Sequence, residues 1–292
     1  MIEVTDLRKE FGGFVAVEGS TFSVDRGEVF GVVGPNGAGK TTTLKMLAGL
    51  IEPTNGSAVV AGNRAGSAAM QRNLGFLPEE SPLYEEMTAR SYLRFFADLY
   101  DVPRSVADER IERALDRLEL DHRTRPIGNM SKGMKRKVAI ARALVNDPDV
   151  LIFDEPASGL DPLTTNYIIE FTSELAADGK TVVFSAHNLF HVESVCDRLA
   201  IMRDGRIVAR GSLSEIRDVY GGTEYHLYAT VDVGGGVREN GHVRYTVEEL
   251  SRVDDLREEI DDAGGEVTDL RTETPTLEEI FLDVASGTEA DT

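Results

Sequence analysis

Residues 27 to 50, GEVFGVVGPNGAGKTTTLKMLAGL, constrain this chain more than any other stretch. GEVFGVVG is an apolar run of strand length that ends in glycine, and TTTLKMLAGL (41–50) reads as a helix. The turn between them, GPNGAGKT from Gly34 to Thr41, fits the spacing GxxxxGK[ST]. Glycines let successive backbone N–H groups close around phosphate oxygens with no Cβ in the way, and the helix that follows adds its positive N-terminal end. The segment Gly34, Pro35, Asn36, Gly37, Ala38, Gly39, Lys40, Thr41 and Thr42 is therefore expected to hold the phosphates of a nucleotide. Lys40 can reach the β- and γ-phosphates, and the Thr41 hydroxyl can ligate Mg²⁺.

A strand–turn–helix unit of this kind belongs in a mainly parallel α/β sheet, and the chain supplies the other pieces. DVLIFDEP (149–156) is a continuous apolar strand, as expected for one buried on both faces. TTNYIIEFTSELAADG followed by TVVFSAH repeats helix then strand, and LAIMRDGRIVARG (199–211) reads as a hairpin turning at Asp204-Gly205. Residues 1–24 alternate as two short strands around KEFGGF, and SAVVAG is a further strand. Between 79 and 139 the periodicity turns helical, in SYLRFFADLY and RIERALDRLEL, and MKRKVAIARALVN (134–146) is another helix.

From Gly221-Gly222 onward the composition changes. Strands are expected at EYHLYATVDV, HVRYTV and EVTDLRT, and helices at ELSRVDDLREEIDDAG and TLEEIFLDVA, the last with Thr276 and Glu279 spaced as a capping box. The expected fold is thus α/β: a P-loop NTPase core with a mainly parallel sheet, an antiparallel β subdomain and an inserted helical subdomain (about 79–139) within residues 1–220. A small acidic α+β domain follows at 221–292.

Charge narrows the partners. The formal net charge is −20, and residues 221–292 hold 19 Asp and Glu against five Arg and no Lys. Such a surface disfavours a nucleic-acid partner, which needs clustered cations facing the polymer. Seven lysines beside 51 acids suit a high-salt cytoplasm, where screening removes most self-repulsion. No apolar run reaches 18 residues, and the acidic N-terminus MIEVTDLRKEF has no leader-like apolar region. The single cysteine, Cys196, excludes an internal disulfide framework and reads as a helix core residue.

LIFDEP places Asp154 and Glu155 at the carboxyl end of its strand. Asp154 is the candidate second acid for Mg²⁺ beside Thr41, and Glu155 the candidate general base for an attacking water. With these residues in place the chain resembles the ATPase subunits of ATP-binding-cassette (ABC) transporters, in order from Phe11 to Gly211. MSKGM (130–134) resembles the LSGGQ signature of that family, SGLD (158–161) its D-loop, SAH its switch histidine at His187, and LPEE its Q-loop at Glu79. Phe11 matches the aromatic that stacks on adenine.

The resemblance implies two subunits pairing head to tail when ATP is present, as a homodimer, with Ser131 and Gly133 meeting the γ-phosphate of the partner's ATP. His187 would hold the γ-phosphate, Asp161 would link the two sites, and Glu79 would ligate Mg²⁺ in place of the usual Gln. It further implies a peripheral protein on the cytoplasmic face of the membrane, attached to a separate polytopic permease and driving export. The variant signature and the ending TLEEIFLDVASG are similar to those of export-type cassettes. The alternative is a cassette acting in DNA repair, chromosome organisation or translation. Against it stand the absence of sustained heptads between Gly34 and Ser131, and a single cassette rather than two. Lys135, Arg136 and Lys137 fall at the end of their helix that is unfavourable for cations, so ATP or an acidic surface of the protein is expected beside them.

Overall fold

The computed structural model describes residues 1–286 except Gly221, Asn240 and Thr274; the end of the expected 221–292 domain, with Gly287 of the TLEEIFLDVASG resemblance, lies outside them. The chain divides into two compact units, Met1–Ser212 and Leu213–Thr292.

In the first unit β1 (Ile2–Phe11) and β2 (Phe14–Val24) form a long antiparallel hairpin. These strands are longer than the two short ones expected, and three register shifts bend the pair so that the apolar set Ile2, Val4, Leu7, Val17, Phe22 and Val24 still faces inward. β3 (Val29–Val33), buried at every position, runs into the phosphate loop and α1 (Lys40–Leu47). β4 (Asn55–Val60) pairs antiparallel with β1 and with β5 (Asn63–Arg64), which completes a four-stranded antiparallel sheet in the order β2-β1-β4-β5.

After α2 (Ala68–Arg72) and β6 (Leu74–Leu77) come the helices α3 (Ala89–Leu99), α4 (Arg104–Arg117) and α5 (Lys132–Leu144). α5 starts two residues before the expected 134, because Ser131 caps it by accepting a bond from the Met134 amide. β7 (Val150–Phe153), α6 (Pro162–Ala177), β8 (Thr181–Ala186), α7 (Leu189–Val195), β9 (Arg198–Arg203) and β10 (Arg206–Gly211) complete the unit. The main sheet has the order β10-β9-β3-β8-β7-β6, parallel except at the β9–β10 edge hairpin.

Three neighbouring parallel strands, β3, β8 and β7, end nearly level: Val33 pairs with Ala186, and Phe153 with Phe184. The residues that follow (Gly34, His187 and Asp154) therefore emerge side by side at the carboxyl edge of the sheet, where open α/β sheets bind ligands. Cys196 is not a helix core residue. It ends α7 in extended conformation and lies against β3, where a Cβ on Gly31 would come within 2.8 Å of its Sγ. Burial pushes its thiol pKa well up, which disfavours the thiolate form.

The second unit begins eight residues before the expected 220/221 boundary, since α8 (Leu213–Tyr220) packs on the final helix of that unit. β11 (Glu224–Ala229), β12 (Val237–Glu239), β13 (His242–Val247) and β14 (Val267–Glu273) form an antiparallel sheet in the order β12-β13-β11-β14. α9 (Leu250–Asp262) lays Val253, Leu256 and Ile260 on Leu227, Ala229, Val243 and Tyr245. α10 (Leu277–Ser286) starts with the expected box: the Thr276 N–H donates to Glu279 Oε2 at 2.7 Å, and the Glu279 N–H to Thr276 Oγ1 at 3.2 Å. Among the described residues no helix is long and apolar enough to cross a membrane.

Candidate active site

α1 starts from Gly39, whose φ of +103° is open to glycine, and a Cβ there would lie 2.6 Å from the Ala16 carbonyl oxygen. No side chain caps α1 and no acid occupies its first turn, which leaves its first N–H groups directed at the loop it closes. Lys40 folds back over that loop and donates to the Gly34 carbonyl at 2.7 Å and the Pro35 carbonyl at 3.3 Å.

The strand ends are wired to this loop. Thr41 donates to Asp154 Oδ1 at 3.2 Å, and Ser185 donates to the same oxygen at 2.6 Å. The Ser185 hydroxyl also accepts the Glu155 N–H at 2.9 Å. One serine thus fixes both acids that follow β7, with Asp154 buried and Glu155 turned to the cavity described below. Glu155 achieves that turn with a φ of +46°, a left-handed backbone uncommon outside glycine. Its carboxylate lies between Lys40, 3.8 Å from Oε1, and His187, whose Nδ1 is 2.9 Å from Oε2. Ser185 was not among the expected site residues, although a lone hydroxyl after the apolar VVF was a usable signal.

A cavity of about 660 Å³ gathers Pro35 to Thr42, Glu79, Glu155 and His187, and adds Ser158, the first residue of SGLD, with Phe14 and Ala16, which sequence reasoning missed. Gly34 is bonded to the Lys40 ammonium, and Asp154 lies beneath, bonded to Thr41. Phe11 does not line this cavity. It closes the hairpin opposite Phe14, about half exposed, with the Lys9 ammonium 4.9 Å from its ring centre. Ser131, Gly133 and Asp161 do not line it either. Residues 17–158 match the family model described as ABC transporter.

The chain belongs to the ATP-binding subunits of ABC transporters.

It is 32% identical to the linearmycin resistance ATP-binding protein LnrL of Bacillus subtilis (strain 168), over 99% of each chain. It is 39% identical to the ABC transporter ATP-binding protein NatA of the same strain, over 74% of this chain and 91% of NatA. Among solved structures it is similar to the dimeric post-hydrolysis state of the ATP-binding cassette MJ0796 bound to ADP and Pi. The TM-score is 0.66 at 25% identity, covering 73% of this chain and 99% of the other. As an ABC ATPase the chain binds and hydrolyses ATP.

Of the cations of MSKGMKRK, Lys135 meets an expected acid, while Arg136 and Lys137 find partners that the sequence did not indicate. Lys135 pairs with Glu85 at 2.7 Å, the one contact that fits the expected acidic surface. The Lys137 ammonium sits 4.2 Å from the centre of the Tyr167 ring. Arg136 is buried and donates to five backbone carbonyls: those of Pro78 and Glu79 after β6, and those of Asp154, Glu155 and Pro156 after β7. Burial lowers its pKa to about 10, so it remains charged at neutral pH. It clamps the Glu79 segment of this ABC ATPase to the Glu155 segment.

Proposed function

We propose that this chain is the ATPase half of an exporter, in which two copies close head to tail around ATP and drive a separate polytopic permease. The observation that carries this reading is the split of the motif residues. The phosphate loop, Asp154, Glu155 and His187 are bonded into one cluster, whereas Ser131, Gly133 and Asp161 lie outside its cavity. A site built from two copies uses both halves, with Ser131 and Gly133 of one facing the γ-phosphate held by the other. The dimeric MJ0796 cassette and the resistance function in LnrL's name support the dimer and the export direction.

Within each half, Glu155 is the general base and is oriented by its contacts with Lys40 and His187. His187 presents its other ring nitrogen towards the γ-phosphate, Asp161 links the two sites, and Phe11 with Phe14 beside it covers the adenine. Thr41, Asp154 and Glu79 offer a hydroxyl and two carboxylates, an all-oxygen donor set that fits Mg²⁺. Among the described residues no three His, Cys, Asp or Glu side chains gather as a metal cage, which suits an ion shared with nucleotide phosphates. Bound there, Mg²⁺ would neutralise charge building on the β- and γ-phosphates. The protein is read as peripheral on the cytoplasmic face of the membrane. Its net charge of −20 and scarce lysine support a high-salt cytoplasm.

Glu155→Gln tests the reading. It keeps the shape but cannot accept a proton, so ATP turnover should fall by about 10²–10⁴-fold. Sedimentation of this variant with saturating Mg-ATP should show a dimer; a protein that stays monomeric would refute the head-to-tail site.

A further inference from the structure

The signature glycine has a structural duty within its own chain. A Cβ on Gly133 would lie 3.1 Å from Thr164 Cγ2 and 3.4 Å from Thr164 Oγ1, so a side chain at position 133 would press on Thr164 and the two would have to give by a few tenths of an ångström. Thr164 in turn holds Asp161, the N-cap of α6. Its N–H donates to Asp161 Oδ1 at 3.1 Å and its hydroxyl donates to Oδ2 at 2.7 Å. These bonds, the hydroxyl's foremost, keep the Asp161 carboxyl below the usual carboxylate range.

One residue before Gly133, the Lys132 ammonium lies over Gly159, whose φ is +64°. Among the described residues, its chain neighbours aside, Lys132 is the one that a Cβ on Gly159 would meet within 4 Å. Two consecutive residues in the first turn of α5 therefore rest on the two ends of the segment 159–164. This also gives a place to the lysine that stands where the family signature has glycine.

We propose that Thr164 is a positioning residue that links Asp161 to the signature turn, and that a side chain at position 133 would push on this link. The proposal rests on the reading that Gly133 and Asp161 serve the nucleotide site. It locates part of the demand for glycine in packing within the chain, whatever faces Gly133 across a dimer. A movement of the signature turn then carries Asp161 with it.

The test is a four-protein cycle: wild type, Gly133→Ala, Thr164→Ser and the double variant, with kcat and KM for ATP measured separately. Serine keeps both bonds to Asp161 and removes the methyl that an alanine at 133 would strike. Residues in direct contact couple strongly, so the fold loss in kcat from Gly133→Ala should be about fivefold larger beside threonine than beside serine. Losses that simply multiply, or a harmless Gly133→Ala beside threonine, overturn the proposal.

Thr164→Val in the native background is the second arm and does not depend on Gly133→Ala folding. It keeps the methyl contact and loses the hydroxyl, so kcat should drop about threefold at unchanged KM, by loss of one hydrogen bond to a charged group. Wild-type kcat there also overturns the tie. Glu155→Gln, run in parallel, reports on the site reading by itself: if it hydrolysed ATP normally, the assignment of the base would fail while the Gly133–Thr164 coupling was still measured.

Discussion

Two helices of this protein begin at glycine-containing turns read as ATP-binding, and they are built in opposite ways. α1 opens on left-handed Gly39 with no side-chain cap, and its first residues Lys40 and Thr41 are bonded to their own loop and to Asp154. α5 opens on Ser131, whose hydroxyl oxygen accepts the Met134 N–H and so satisfies part of the helix end within the chain. Ser131 still has its own proton to donate. The contacts around α5 run to Glu85, Tyr167, Thr164 and the carbonyls beyond β6 and β7. One helix start is thus an open cradle completed by neighbouring strand ends, and the other is a closed, pre-formed surface presented outward. A shared glycine motif does not by itself say which of the two a helix start will be.

The contrast can be broken at each side. Lys40→Ala removes a charged donor from the cradle, and about 1.5–3 kcal/mol for such a bond means ATP affinity weaker by roughly ten- to a hundredfold. Titration with a fluorescent ATP analogue reads this directly, and unchanged affinity would remove the phosphate-loop assignment. Phe11→Ala should weaken the same affinity about fivefold, on the order of one aromatic stacking contact, with Phe11→Tyr restoring it. If Phe14→Ala were the harmful variant instead, the adenine contact would belong to the aromatic that lines the cavity. Ser131→Ala should leave ATP binding by the single chain unchanged. Loss of its cap, about 1 kcal/mol, should lower the unfolding midpoint by roughly 2–4 °C in a differential scanning measurement.

Much of the cradle could be read from the sequence because it is local. The phosphate loop is contiguous, and LIFDEP and SAH each end an apolar strand with the residues that matter. What brings them together is the sheet order β3-β8-β7, a long-range fact that no motif carries. Ser185 escaped notice because its bonds to Asp154 and Glu155 exist only once those strands are neighbours. The partners of Arg136 were hidden for a different reason. They are backbone carbonyls, which have no residue type to recognise. The short helix α7 has only Leu189 and Val192 buried, too few for a periodic signal, and so Cys196 was assigned to a helix it actually ends. α8 is only slightly longer, and its packing on α10 moved the boundary between the units.

The left-handed backbone of Glu155 has a consequence for anyone engineering this protein. A non-glycine residue held there carries a strain of about 1–3 kcal/mol, which glycine would relieve. With Glu155 as the proposed general base, selection for heat resistance alone would favour Glu155→Gly, and is expected to reward a more durable fold with little ATP turnover. Position 155 is one where improving the scaffold and keeping the enzyme are opposed goals, and a stabilisation campaign should hold it fixed from the start.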